Sequence, residues 1–394
     1  MFQVTCPFCY HRINWLYLLF VCSGPNAPGY PHCKQDVDPV RRKEAHSEEP
    51  MYPVFSIFPP QLSWLPTPRQ ARCPHCRGRT GQHACPACHT PLPANFGGGF
   101  SPVIALIGAT KTGKTVYLTV GANHLRTVLR DRFTADVSLC GDAAHKWLND
   151  NVDAIFVRLK LPELTEQPDG RSEPLVFQWR RRSGRVRRSF RSSYLSFLDT
   201  AGESLGTQRG VTELEFLTSV DAFILLLDPF TLPGAGARVV PPEAVGSTAA
   251  DAFSVLTQVT NAVRDAEGVR RGSRSKKPMA VAFAKIDTFR AELGADHPIF
   301  AAEADGPWHD EKASRAHHES VQELLLNWGG SNIDDHMKAN YKNYRYFALS
   351  SLGRPPDYET FTVAKGGVRP MRVADPLVWL LSWYKVVPRR RSGG

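Results

Sequence analysis

At 394 residues the chain is too long for one small domain and suits two or three. Hydrophobic residues make up 42%, which excludes a wholly disordered chain, and the formal net charge of +10 admits anionic partners without requiring one. Met1-Phe2-Gln3-Val4-Thr5-Cys6 has no basic stretch ahead of an apolar one, and the run from Trp15 to Val21 is far short of the ~20 residues of a membrane helix. A cytoplasmic, soluble chain with no membrane span is therefore expected, and Trp15 to Val21 reads as a buried strand.

The first region, residues 1–95, holds eight of the nine cysteines. In a reducing compartment CxxC pairs point to metal and not to disulfides. Cys73-Pro74-His75-Cys76 and Cys85-Pro86-Ala87-Cys88 can present four thiolates to one tetrahedral zinc, their prolines favouring tight turns that let the sulfurs converge. Cys6-Pro7-Phe8-Cys9 is a third such pair, with Cys22 and Cys33 as natural partners and His11 or His32 able to replace a cysteine. An interleaved arrangement, in which one zinc takes pairs from distant segments, is left open by the spacing. If all eight are ligands, two closed four-sulfur sites result, with no open position for catalysis. Within this zinc-ribbon-like module, residues 38–70 are rich in proline and charge and read as a linker. Cys140 stands alone and reads as a small buried apolar side chain.

From 98 to 388, strand-like apolar runs alternate with helical segments, as in an α/β domain with a mostly parallel sheet. Val103 to Ile107 reads as a strand and Thr115 to Arg130 as a helix, and Gly108-Ala109-Thr110-Lys111-Thr112-Gly113-Lys114-Thr115 between them matches G-x-x-x-x-G-K-[ST] at every fixed position. Its glycines let backbone N–H groups and a helix N-terminus face a phosphate. Lys114 would reach the β- and γ-phosphates and Thr115 would place its hydroxyl on Mg²⁺. Leu175 to Arg182 and Arg185 to Leu198 read as a hairpin about Ser183-Gly184. Further strands are expected at Ala222 to Leu227, Met279 to Ala284 and Tyr346 to Leu349, and helices at Ala249 to Asp265, His309 to Trp328 and Pro376 to Tyr384. The tail, 389–394, is basic and expected to be disordered.

Three further motifs come after the phosphate loop in order. Asp199-Thr200-Ala201-Gly202-Glu203 follows the second hairpin strand: the Asp can hold Mg²⁺ through water, and Gly202 can offer its N–H to a γ-phosphate. Ala284-Lys285-Ile286-Asp287 follows a buried strand, and Ser350-Ser351 follows the last one. With GATKTGKT, these resemble the Ras-like (TRAFAC-class) P-loop GTPases over residues 103–353. The resemblance implies a P-loop NTPase three-layer sandwich that binds GTP or GDP with Mg²⁺. Asp287 would accept from the guanine ring N–H and amino group, Lys285 would lie along the base, and Ser350 and Ser351 would belong to a base-contacting loop. Ala284 stands where the family carries Asn or Thr and cannot tie this loop to the phosphate loop by a side-chain bond. Thr165 is the candidate first-switch threonine, ahead of Thr134, which lies too near the helix. Longer spacings than in a minimal small GTPase require insertions, chiefly Thr231–Thr248 and Arg290–Asn332. Cysteine pairs upstream of these motifs also resemble the bacterial double-GTPase group of conflict systems, which implies companion proteins and a defence or signalling role.

Arg180, Arg181, Arg182, Arg185, Arg187, Arg188 and Arg191 surround the hairpin turn, a surface for nucleic acid or an acidic partner or else a solvated ribbon. The expectation is a GTP-binding switch with slow intrinsic hydrolysis that signals to a protein effector. Thr110 stands where small GTPases usually carry Gly, and Glu203 where faster relatives often carry Gln. A nucleotide-loaded zinc-containing scaffold and a nucleic-acid-binding ATPase are the competing readings; Asp287 speaks against the latter.

Overall fold

The computed structural model describes the chain apart from residues 1–2, 15, 46–52, 61–66, 94–95, 97–99, 110, 163–173, 184–188, 202–216, 238, 240–251, 271 and 391–394, with backbone alone at 3, 44–45, 183, 189–191 and 198–201. Two units divide it: Met1–Ser101 with Ser138–Ala144 and Glu166–Ser196, and Pro102–Val137 with His145–Thr165 and Phe197–Gly394. The unit that contains the cysteines thus also takes in two segments that the sequence assigns to the large domain.

In the first unit, short strands frame the cysteine pairs. They are β1 (Gln3–Thr5), β2 (Arg12–Asn14), β3 (Leu19–Val21), β4 (Ile57–Phe58), β5 (Ala71–Arg72), β6 (Arg79–Thr80) and β7 (His83–Ala84). β1 pairs with β2 around Cys6–Cys9, and β5 with β6 around Cys73–Cys76, both antiparallel. The expected strand from Trp15 is shorter than the apolar run, because Asn14 accepts the Leu16 N–H (3.1 Å) through its side chain and the Tyr17 N–H (2.9 Å) through its carbonyl and so makes a turn. Trp15 itself lies outside the described residues. The stretch read as a linker is partly built into the module. Asp38 caps the helix Pro39–Ala45 by accepting from the N–H groups of Val40 and Arg41 (3.0 and 2.9 Å), and β4 pairs with β3.

Continuing along the chain, the larger strands are β8 (Val103–Gly108), β9 (Ala135–Cys140), β10 (Leu175–Ser183), β11 (Ser189–Ala201), β12 (Ala222–Leu227), β13 (Met279–Phe283), β14 (His309–Asp310), β15 (Tyr344–Ala348) and β16 (Arg389–Arg390). β10 and β11, the expected hairpin strands, are neighbours in the sheet, their connection lying outside the described residues, and in the first unit β10 runs next to β9, a strand the sequence pattern does not announce. Ser196 of β11 donates to the Pro7 carbonyl (2.8 Å) and meets the Tyr10 hydroxyl (3.3 Å), so the first cysteine turn is fastened to this strand. Arg185, Arg187 and Arg188 lie outside the described residues.

In the second unit the sheet runs β15-β13-β12-β8-β11. β8, β12, β13 and β15 are parallel neighbours, with Ile224 opposite Leu106, Leu225 opposite Val281 and Val281 opposite Tyr346. Every residue of β8, β12 and β13 is buried. Strand side chains alternate between faces, so helices must cover both faces of these strands, which makes a three-layer α/β sandwich. The helix Lys114–His124 packs on β8, Asp375–Trp383 on β12 and β13, and Glu311–Asn327 on β15. Ala252–Glu267 packs against Ser331–Asn340. The expected tail starts later than position 389: Arg389 and Arg390 pair with His309 and Asp310, Arg389 reaches Glu311 (2.9 Å), and Arg390 lies over Trp308. A buried carboxylate that gathers arginines orders what composition alone reads as a loose end.

Candidate functional site

The parallel register brings the carboxyl ends of four strands into line. Gly108 stands opposite Leu226, Leu227 opposite Phe283, and Phe283 opposite Ala348. The segments that leave these strands therefore emerge along one edge: the phosphate loop after β8, Asp228 after β12, Ala284-Lys285 after β13, and Leu349-Ser350 after β15. Ligands of open α/β sheets bind at this edge.

The loop between β8 and the helix Lys114–His124 is shaped for close approach. A Cβ on Gly108 would meet the Leu226 carbonyl oxygen and Thr112 Oγ1, each at 2.8 Å, so only glycine fits against β12. Lys111 (φ 66°) and Gly113 (φ 89°) are left-handed, and the helix begins at Lys114. Such a turn aims successive N–H groups inward, as an anion nest does. Thr112, buried, donates to the Ala109 carbonyl (2.8 Å). Lys114 Nζ donates to the carbonyls of Gly108 (2.9 Å) and Ala109 (3.0 Å), which holds its charge at the loop. Thr115 is half-buried in the first helical turn; Thr110 lies outside the described residues.

Lys285 joins the loops. Its Nζ donates to Asp228 Oδ2 (2.6 Å) and to the Lys111 carbonyl (3.0 Å), so one ammonium bridges the loop after β13 and the phosphate loop. Ala284 forms no such side-chain tie; the lysine supplies it. Asp228, with its side chain 4% exposed, also caps the next turn by accepting the Phe230 N–H (3.1 Å). Sequence reasoning passed over Asp228, although an acid placed directly after an all-apolar buried run was a usable signal. Asp287 lies half-buried at the start of the turn after β13. Burial raises the Asp287 pKa, and the Ser350 hydroxyl, the residue's own N–H and the Lys285 charge oppose that rise. Ser350 is buried and Ser351 half-buried at the start of the loop after β15. The edge thus gathers Lys114, Asp228, Lys285, Asp287 and Ser350.

β11 is the other neighbour of β8, and Asp199 lies near its end, with only its backbone described. Gly202, Glu203 and Thr165 lie outside the described residues.

In the first unit the cysteines meet in interleaved sets. Cys6, Cys9, Cys85 and Cys88 form one cluster, and Cys22, Cys33, Cys73 and Cys76 the other, with the sulfurs of each within 4.8 Å of one another. The two adjacent CPxC pairs at 73–76 and 85–88 do not share a site, because each pairs across the chain with an earlier segment. Among the described residues neither His11 nor His32 joins a cluster. Three turns have one plan: Cys6, Cys73 and Cys85 each accept from the N–H four residues on (3.0, 3.0 and 2.9 Å), and that residue is left-handed, at Tyr10, Arg77 and His89. Cross-pair sulfur distances of 3.5–4.0 Å match the ~3.8 Å edge of a tetrahedron with Zn–S near 2.3 Å. Burial raises the Cys6 thiol, while contact with Cys6 lowers Cys88 and Cys85. Four sulfurs this close cannot all ionise without a cation among them, so the donor set fits Zn²⁺. Cys140, expected to be buried, is half-buried on β9, and burial pushes its thiol up to about 11.

No family model matches the chain. Over 328 residues it is 27% identical to a Mycolicibacterium smegmatis protein provisionally named ESX-1 scaffolding and assembly protein SaeC, an overlap of 77% of this chain and 80% of that one. Among solved structures it is similar to the GTPase-like domain of Saccharomyces cerevisiae Ski7 bound to GTP (12% identity, TM-score 0.33) and to the same domain bound to GDP and inorganic phosphate (12%, 0.35). Each likeness covers 73% of this chain and half the length of the Ski7 domain. A nucleolar GTP-binding protein 1 of Plasmodium falciparum is similar at 11% identity and a TM-score of 0.30, over 75% of this chain and 91% of that one. No described helix is long and apolar enough to cross a membrane.

Proposed function

We propose that this chain binds guanine nucleotide with Mg²⁺ at the carboxyl edge of its parallel sheet and that the bound state is read by protein partners. The observation that carries the reading is Lys285, whose ammonium spans Asp228 and the Lys111 carbonyl and so fixes the loop of Asp287 to the phosphate loop. Asp287 would accept from the guanine ring N–H and amino group, and Lys114 and the loop N–H groups would hold the phosphates. Thr115 and Asp199 would hold Mg²⁺, which neutralises phosphate charge when bound. Thr165, Gly202 and Glu203 are the residues that would sense a γ-phosphate. The two cysteine clusters would hold one structural zinc each.

Hydrolysis by the isolated chain is expected to be no faster than the unaided Ras-type rate of about 10⁻⁴ s⁻¹, since a side chain at the motif position of Thr110 would crowd a γ-phosphate and an ionised Glu203 would be repelled by it. The wider assignment to a bacterial conflict system rests on motif order alone. Calorimetry with GTP and ATP tests the binding reading: wild type is expected to prefer GTP, and Lys114→Ala to lose tight triphosphate binding while keeping its fold. Equal binding of both nucleotides, or full affinity in Lys114→Ala, would overturn it.

A second reading is a nucleotide-loaded scaffold with negligible turnover, supported by the 27% identity to a protein named for scaffolding and assembly. Single-turnover phosphate release separates the two: a bound GTP that stays intact under every condition, with or without added protein partners, favours the scaffold.

A further inference from the structure

Between Glu49 and Asp131 the chain holds no acid, and the only charged residues from 50 to 101 are Arg69, Arg72, Arg77 and Arg79. All four gather about one cysteine turn, Cys73–Cys76, and all four are exposed. Arg72 of β5 stands directly opposite Arg79 of β6. Directly opposed residues of an antiparallel pair share a face, and like charges there repel and weaken the ribbon. Among the described residues no carboxylate pairs with any of the four arginines. The fold keeps a repulsive cluster that it does not itself neutralise.

The turn does not need these arginines. The three CPxC turns have one hydrogen-bond plan, and their left-handed residue is Tyr10, Arg77 or His89. The residue before the first cysteine is Thr5, Arg72 or Ala84, and the sixth residue after that cysteine is Arg12, Arg79 or Pro91. Metal charge does not require them either. A zinc ion held by four thiolates carries a net charge of about −2, and that charge is the same at both clusters. Yet at these places the turns of the Cys6–Cys9–Cys85–Cys88 cluster carry Arg12 alone, whereas the single turn at Cys73–Cys76 carries Arg72, Arg77 and Arg79.

An aromatic residue is held against the same turn. The Ser23 hydroxyl donates to the Arg79 carbonyl (3.0 Å), and the Ala27 N–H donates to the Cys76 carbonyl (2.8 Å). A Cβ on Gly78 would lie 1.9 Å from the Pro25 carbonyl oxygen, so loop and turn are in close contact. Tyr30 ends this loop. Its N–H donates to the Ala27 carbonyl (3.1 Å), and its own carbonyl accepts from the Asn26 side-chain amide. The Tyr30 backbone is thus fixed at both groups, yet the residue is 48% exposed. His75, within the cysteine turn, is exposed as well.

We infer that the Cys73–Cys76 turn and the Ser23–Tyr30 loop bind single-stranded nucleic acid, with the arginines on backbone phosphates and the rings of Tyr30 and His75 stacked on bases. Guanidinium groups meet phosphate oxygens in a planar, bidentate pairing. Exposed rings next to them suit bases that are already unstacked, whereas an acidic peptide would use the arginines and leave the rings idle. The surface lies wholly in the first unit, so the inference does not depend on the nucleotide reading.

The test is fluorescence anisotropy of labelled oligouridine titrated with the full chain, with elemental analysis and thermal unfolding of each variant. Wild type is expected to bind, and more weakly as salt rises from about 50 to 200 mM, because each phosphate contact on a single strand adds about −0.7 to the slope of log K against log salt. Arg72→Gln/Arg79→Gln removes two such contacts. It is expected to make the slope shallower by about 1.4 and to weaken binding about 10- to 100-fold at the low-salt end. Tyr30→Ala is expected to weaken binding about 5- to 100-fold, the range of base–aromatic stacking, and to leave the slope unchanged. Both variants are expected to keep their zinc, and the arginine variant to unfold no earlier than wild type, since a repulsive pair is gone. Loss of zinc or of thermal stability in the arginine variant would overturn the inference in favour of arginines that serve the fold. A wild type that does not bind oligouridine, or a variant of either kind that binds it as wild type does, would overturn it as well. Polyglutamate bound more tightly than oligouridine would overturn it in favour of an acidic protein partner.

Discussion

Replacing Asp287 by Asn is the sharpest probe of the proposed base site, because it exchanges a double acceptor for a group with one acceptor and one donor at nearly constant volume. A carboxylate faces two donors on guanine, and hydrogen bonds to a charged group are worth about 1.5–3 kcal/mol each. Asp287 is only half-buried, so the lower part of that range applies, about 3–4 kcal/mol in all. That predicts a GTP affinity weakened by about 10²–10³-fold at pH 8. The amide N–H of the variant would face an acceptor at the same place in xanthine, so binding of XTP is expected to rise as GTP binding falls. A pH dependence is expected as well. Burial raises the pKa of this carboxyl, and the guanine donors favour only its ionised form. Wild-type GTP affinity should therefore fall as pH drops through the raised value, by up to about tenfold per unit, while that of the Asn variant stays flat. The assay is calorimetry with GTP, ATP and XTP between pH 5.5 and 8. An Asn variant that binds GTP as tightly as wild type, or a wild type blind to the choice between GTP and ATP, would refute the reasoning.

Asp228→Asn keeps an acceptor for the Phe230 N–H but removes the charge that holds Lys285. Because Lys285 keeps the Lys111 carbonyl and some exposure, a loss of about 1–3 kcal/mol in urea stability and a matching fall in GTP affinity are expected, and no change in either would refute the latch. Elemental analysis should find two zinc ions per chain, and the double variant Cys6→Ser/Cys85→Ser should lose only one; loss of both would restore the site of adjacent pairs that the structure disfavours. At the sheet edge, His317 and His318 accept the N–H groups of Ala348 (3.2 Å) and Tyr346 (3.0 Å) and must be neutral to do so. Burial and nearby arginines hold them at about 3 and about 4, below the ordinary 6.5. The native state thus favours neutral rings, and the stability they give is complete above pH 6.5 and lost as pH falls toward 4, at about 2 kcal/mol each between pH 7 and 5. Urea midpoints should fall more steeply over that range in wild type than in His317→Gln/His318→Gln, and parallel curves would show that the rings carry no such linkage.

What the sequence determines by itself is local and contiguous. GATKTGKT needs only a strand before it and a helix after it, and the CPxC pairs need only their own tight turns, so both are legible without a partner. The apolar runs Ala222–Leu227 and Met279–Phe283 mark strands covered on both faces for the same reason. The helix Ser331–Asn340 and the strand Ala135–Cys140 escaped notice, because mixed polar sequences there are held by packing and not by a strong period. Pairings across long stretches of chain are decided only by strand order and register. Lys285 and Asp228 are 57 residues apart, and Lys285 and Lys111 are 174 apart, and they meet because parallel strands end side by side. Cys6 meets Cys88 across 82 residues, ahead of the nearer Cys73–Cys76 pair, because each turn has the same shape and spacing alone cannot choose among identical partners.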